Sequence, residues 1–141
     1  MLIAGGCHCG AIRYQLLWQP EPDFMPARAC SCTFCVKHAA AWTSCPSGEL
    51  CVTVPKWSSI SRYSFATKTA EFLVCVRCGV VPLVTSTIDE VVYAVVNVNT
   101  MDGIDKDLLR RDTCSFSGEG AAERLERRRH NWIGRVRFVD G

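Results

Sequence analysis

The chain has no run of about 18 apolar residues, the length a helix needs to cross a bilayer, so no membrane span is expected. Its start, Met1-Leu2-Ile3-Ala4-Gly5-Gly6-Cys7, lacks the charged segment and long apolar run of a secretion signal. Together these absences predict a cytoplasmic, reducing setting, in which thiols serve as metal ligands or reactive groups rather than as disulfides. No Walker, dinucleotide or Ser-His-Asp motif is present. Repeats and low-complexity tracts are absent. Charge of neither sign dominates, the net being +2, which neither requires nor excludes an anionic partner.

What the chain does have is cysteine, ten of them in 141 residues. Seven fall into tight groups: Cys7-His8-Cys9, Cys30-Ser31-Cys32-Thr33-Phe34-Cys35, and Cys75-Val76-Arg77-Cys78 followed by Gly79. Cys45, Cys51 and Cys114 stand apart and read as small buried hydrophobes. An apolar content of 48% over this length fits one globular domain, residues 1–141.

Short strands with glycine and proline turns dominate, so the class is mainly β. Leu2 to Gly5 reads as a first strand. Ile12, Tyr14 and Leu16 alternate with Arg13 and Gln15 in a half-buried second one. Glu49–Val54, Ser58–Phe65, Phe72–Val74, Val80–Thr85 and Ile133–Val139 supply further strands. Val91–Val96 is the most hydrophobic run and is expected at the centre of a sheet. Ala39-Ala40-Ala41 fits either a helical turn or a tight strand. Asp105–Arg111 suggests a helical turn. A C-terminal helix is expected at about 119–131, capped by Ser117, with Glu119 and Glu123 early and arginines at its end, in keeping with the helix dipole.

A C-x-C and a C-x2-C far apart in the chain can close one tetrahedral site, so Cys7, Cys9, Cys75 and Cys78 are read as ligands of a structural zinc. Gly79 supplies the positive φ that such a knuckle needs. His8 points away from the paired sulfurs. Cys30, Cys32 and Cys35 cover three corners of a second zinc site. The fourth corner is either a protein ligand or an exchangeable one. His38, at C-x2-H spacing from Cys35, is the nearest candidate; Cys45, Cys51 and His130 are more distant. In the open case, zinc with three thiolates is a weak carbonyl-polarising Lewis acid but can hold a thiol as thiolate. Lys37 is then a candidate for holding a substrate carboxylate, and His38 for moving a proton.

Gly6-Cys7-His8-Cys9-Gly10-Ala11-Ile12-Arg13-Tyr14, Cys30-x-Cys32-x2-Cys35 and Cys75-x2-Cys78-Gly79 resemble the glutathione-dependent formaldehyde-activating enzyme family, which includes centromere protein V. The resemblance implies a β-tent fold of packed antiparallel sheets and two zinc ions per chain, divided between the cysteines as above. It also implies a carbon–sulfur lyase that forms S-(hydroxymethyl)glutathione from glutathione and formaldehyde at Cys30, Cys32 and Cys35. Residues after the three-cysteine cluster are often arginine-rich in that family; here they are Val36-Lys37-His38. The partners expected are thus a small thiol and an aldehyde.

The alternative is a zinc-stabilised binding module without chemistry, using Arg124, Arg127, Arg128, Arg129, Arg135 and Arg137. Interspersed with Glu123 and Glu126, those arginines read as a solvated helix face, and too few aromatics interleave with them to suggest nucleic acid. A thiol redox role for Cys75-x2-Cys78 is disfavoured by the absence of a thioredoxin-like βαβ pattern.

Overall fold

A computed structural model describes residues 1–141. The fold is mainly β, with eleven strands and two α-helices. One sheet joins β1 (Leu2–Gly6), β2 (Arg13–Leu17), β5 (Glu49–Thr53) and β11 (Arg135–Val139) in that order. The other joins seven strands: β10 (Leu109–Cys114), β3 (Met25–Cys30), β4 (Trp42–Thr43), β9 (Val91–Asn97), β8 (Leu83–Ile88), β7 (Glu71–Cys75) and β6 (Ile60–Tyr63). The strand expected to be central, β9, does lie in the middle of this sheet, because its apolar residues on both faces need cover on both. Pairing is antiparallel throughout except at one edge of each sheet, where β11 runs parallel to β5 and β10 parallel to β3.

The two sheets pack on one core. Ile3, Tyr14, Leu16, Leu50 and Val52 face it from the smaller sheet; Met25, Leu73, Leu83, Ala94 and Val96 face it from the larger. Strand alternation sends the intervening residues to the outer face of the larger sheet. There Trp42, Val84 and Val95 pack with Cys35 of α1 (Thr33–Lys37) and with Trp132, which ends α2 (Ala121–Asn131). That outer face, roofed by two helices, carries the site described below.

Local expectations fail where pairing partners decide the structure. Of Asp105–Arg111 only Lys106–Leu108 forms a 3-10 turn, and the chain then enters β10 beside β3. The alanine run is neither helix nor strand: α1 ends before it, and Ala39 turns the chain with φ 51°. The strand expected from Val80 begins only at Leu83. Ser117 does not cap α2; Gly120 is the capping residue and contributes no side-chain bond.

Candidate functional site

The first thiol cluster sits where the two sheets meet. Cys7 and Cys9 follow β1 in a tight turn that Gly10 completes at φ 82°. Cys75 ends β7, and Gly79 at φ 79° folds the chain back so that its N–H donates to the Cys75 carbonyl at 2.8 Å. The four Sγ atoms lie within 4.8 Å of one another. Cys7–Cys9 is 3.8 Å and Cys9–Cys75 is 3.5 Å. Tetrahedral Zn–S bonds of about 2.3 Å require S···S separations of about 3.8 Å, so the donor set fits a four-thiolate metal. The backbone N–H of Ile12 donates to Cys7 Sγ at 3.3 Å, as ligand sulfurs commonly require. Burial pushes the Cys7 thiol up to about 11. At Cys78 burial acts the same way but is outweighed by N–H donors of Val80 and Cys9, which bring it down to about 6. His8 is exposed, as expected.

The second cluster is built by a strand end and one helical turn. Cys30 closes β3, Cys32 is the N-cap of α1, and Cys35 lies inside it. Cys32 Sγ accepts from the Cys35 N–H at 3.4 Å, so the capping bond also fixes a ligand sulfur. Trp42 Nε1–H donates to Cys35 Sγ at 3.3 Å. These three sulfurs too lie within 4.8 Å of one another. The hydrogen bond from Cys35, opposed by burial, lowers Cys30 to about 5, and the same bond with burial raises Cys35 strongly. Cys30 and Cys35 thus share a proton between them. A cation among the three sulfurs takes the place of that proton, so this donor set also fits a metal, with three protein ligands.

None of the proposed fourth ligands joins this cluster. His38 is exposed at the end of α1, its ring against Phe34 with centroids 4.5 Å apart. Cys45 is buried elsewhere and donates to the Gln19 carbonyl. Cys51 lies in β5 on the other sheet. His130 is exposed and bonded to Glu126 at 2.9 Å. Lys37 is also exposed and does not line the site, because a five-residue helix turns it away from Cys35.

The open side of Cys30, Cys32 and Cys35 faces a cavity of about 710 Å³. Phe65, Phe72, Trp42 and Trp132 supply apolar walls, with Phe65 stacked on Phe72, and Phe34 and Tyr63 pack against these rings. Four arginines line it, Arg28, Arg124, Arg127 and Arg128, and no Asp, Glu, Lys or His does. This corrects the reading of the C-terminal arginines as a solvated face. Arg124, Arg127, Arg128 and Asn131 recur at i, i+3, i+4 and i+7, so one stripe of α2 points inward. Arg129, Arg135 and Arg137 are exposed, and Arg129 and Arg135 pair with Asp89 and Glu49. Arg28 lies two residues before Cys30 on β3 and shares its face. Cys114, read as a buried hydrophobe, is instead half-buried, in register with Cys30 and on the cavity wall. Its thiol is raised by burial and by the nearby charge of Cys30.

Residues 2–117 match the family described as glutathione-dependent formaldehyde-activating enzyme. The chain is also similar to a crystal structure of a Rhodobacter sphaeroides protein, with 26% identity and a TM-score of 0.55, covering 79% of this chain and 99% of that one.

Proposed function

Because the chain belongs to the glutathione-dependent formaldehyde-activating enzyme family, we propose that it makes or breaks the carbon–sulfur bond between a thiol, such as glutathione, and formaldehyde or another small aldehyde. The observation that carries this reading is the arrangement of Cys30, Cys32 and Cys35: three converging thiols, no fourth protein ligand, and a cavity on the vacant side. In this reading Cys7, Cys9, Cys75 and Cys78 hold a structural zinc, and Cys30, Cys32 and Cys35 a second one. Zinc bound by three thiolates stabilises an added thiol as thiolate near neutral pH. A reducing, cytoplasmic setting keeps these side chains free to ligate.

The forward reaction joins the thiol sulfur to the carbonyl carbon. The carbonyl π pair moves to oxygen, and the proton lost by the thiol ends there as a hydroxyl. The reverse reaction breaks the same bond and returns that proton. No His, Asp or Glu lines the cavity, so the proton travels through water rather than through a dedicated side chain. The protein's own work is positional. Trp42 and the α1 cap hold the sulfurs in place, and the aromatic walls limit water around the reacting atoms.

Cobalt substitution tests the open position. Titrating glutathione into the cobalt protein is expected to shift its thiolate-to-metal absorption bands saturably. Bands that ignore every added thiol would mean a closed, structural second site and a binding module rather than an enzyme.

A further inference from the structure

We propose that Arg28, Arg124 and Arg128 form an anion subsite that holds a carboxylate of the thiol substrate and makes this cavity selective for acidic thiols. The inference rests on the reading of the cavity as a thiol site and names the class of thiol it takes.

The first support is uncompensated charge. Of the four arginines on the wall, only Arg127 has a carboxylate partner: its Nε donates to both oxygens of Glu119 at 3.0 and 3.1 Å, and its guanidinium lies 3.6 Å from the centre of the Phe116 ring. The other three are held by neutral acceptors. Arg28 donates to the Ser44 hydroxyl at 3.2 Å. Arg124 donates to the carbonyls of Phe116 at 2.9 Å and Glu119 at 3.2 Å. Arg128 Nη1 donates to the hydroxyls of Thr69 at 2.8 Å and Ser86 at 3.2 Å. Such bonds fix the guanidinium planes without cancelling their charge.

Arg128 supplies the second support. It is only 5% exposed, and its Nε is buried without an acceptor. Burial, aided by the charges of Arg127 and Arg124, brings its guanidinium down to about 10. A buried cation with no counterion is unstable unless something nearby supplies one. A carboxylate does so, and the planar guanidinium fork matches its two oxygens. Thr69 and Ser86 account for one nitrogen of Arg128 and the Trp132 ring lies 5.1 Å from its guanidinium carbon, but neither is an anion and Nε has no acceptor.

The placement fits a substrate that reaches from sulfur to carboxylate. Arg28 shares a strand face with Cys30, and α2 brings Arg124 and Arg128 to the same cavity. Arg124 and Arg128 lie beyond residues 2–117. Selectivity for an acidic thiol is therefore supplied in large part by this chain's C-terminal helix.

The test is calorimetric titration of the metal-replete protein with S-methylglutathione and with its diethyl ester. Neither probe has a free thiol, so binding does not depend on the chemistry at the metal. The acid is expected to bind about tenfold or more tightly than the ester, the difference that charge-assisted bonds supply. Arg124→Gln is expected to remove that preference and leave ester binding unchanged. Arg128→Lys, which keeps the charge and loses the fork, weakens the acid less. Arg129→Gln, outside the cavity, changes neither. If Arg128→Lys does not fold, Arg124→Gln decides alone. Failure of the acid to bind, equal affinity for acid and ester, or an unchanged preference in Arg124→Gln overturns the subsite. Equal affinities in a protein that still accelerates thiol–formaldehyde exchange overturn the subsite alone. Charge-selective binding without exchange overturns the lyase reading alone.

Discussion

Trp42 illustrates how one side chain ties packing to chemistry. Its indole is buried on the outer face of the larger sheet and its single donor points at Cys35 Sγ. Trp42→Phe keeps most of the apolar volume and removes the donor. The loss of one such bond, about 1 kcal/mol, is expected to weaken the second metal about fivefold and leave the first unchanged, as a competing chelator would report. Tyr14 gives a pH signature. Burial, partly offset by its bond to Thr100 at 2.9 Å, raises its phenol well above the ordinary value of about 10. The folded state thus binds the proton more tightly than the unfolded one. Its contribution to stability is complete below about pH 10 and is lost as pH rises from there toward the folded value. The stability difference between wild type and Tyr14→Phe should therefore move against wild type above that pH in denaturant titrations; a pH-independent difference would contradict the assignment. At this scale the cysteines were legible, because metal geometry imposes short, recognisable spacings. The arginines were not. Arg124, Arg127 and Arg128 have the i, i+3, i+4 spacing of an inward stripe, but inward stripes are normally apolar, so charge was read as exposure.

At the scale of the element, strands with one buried face were plain in the sequence, and β2 alternates as Tyr14 and Leu16 predict. β10 was hidden, since none of its residues Leu109–Cys114 is buried and its pairing depends on Met25–Cys30, far away in the chain. β1 shows how close two strands and a loop come. A methyl group placed on Gly5 would lie 2.4 Å from the Tyr14 ring and 2.5 Å from the Thr100 carbonyl oxygen. Gly5→Ala is expected to cost about 2 kcal/mol or more in denaturant unfolding, because backbone on one side leaves nowhere to move. Gly118→Ala, with open space around it, should stay within about 0.5 kcal/mol of wild type. Equal costs for the two would mean that β1 does not pack as described.

The whole molecule is two sheets on one core, and the first thiol cluster crosses between them. Cys7 and Cys9 extend β1 of the smaller sheet, while Cys75 closes β7 of the larger. A metal there cross-links the fold; one at Cys30, Cys32 and Cys35 holds only a strand end and a helical turn on the outer face. Cys75→Ser is accordingly expected to lower the thermal midpoint by more than about 10 °C, and Cys35→Ser by much less. Calorimetry showing equal losses would remove the division between a structural and a chemical site. The grouping of seven cysteines into two clusters was legible in their spacing, whereas the cavity was not, because its walls come from β3, the β6–β7 loop and α2, which only the tertiary fold assembles. The most direct test of the central claim is exchange NMR on an equilibrium mixture of glutathione and formaldehyde, with metal-replete wild type, metal-replete Cys35→Ser and no protein. The account predicts faster exchange with wild type alone, at catalytic amounts of protein. Equal rates in all three samples would contradict it, leaving a fold of this family without its chemistry.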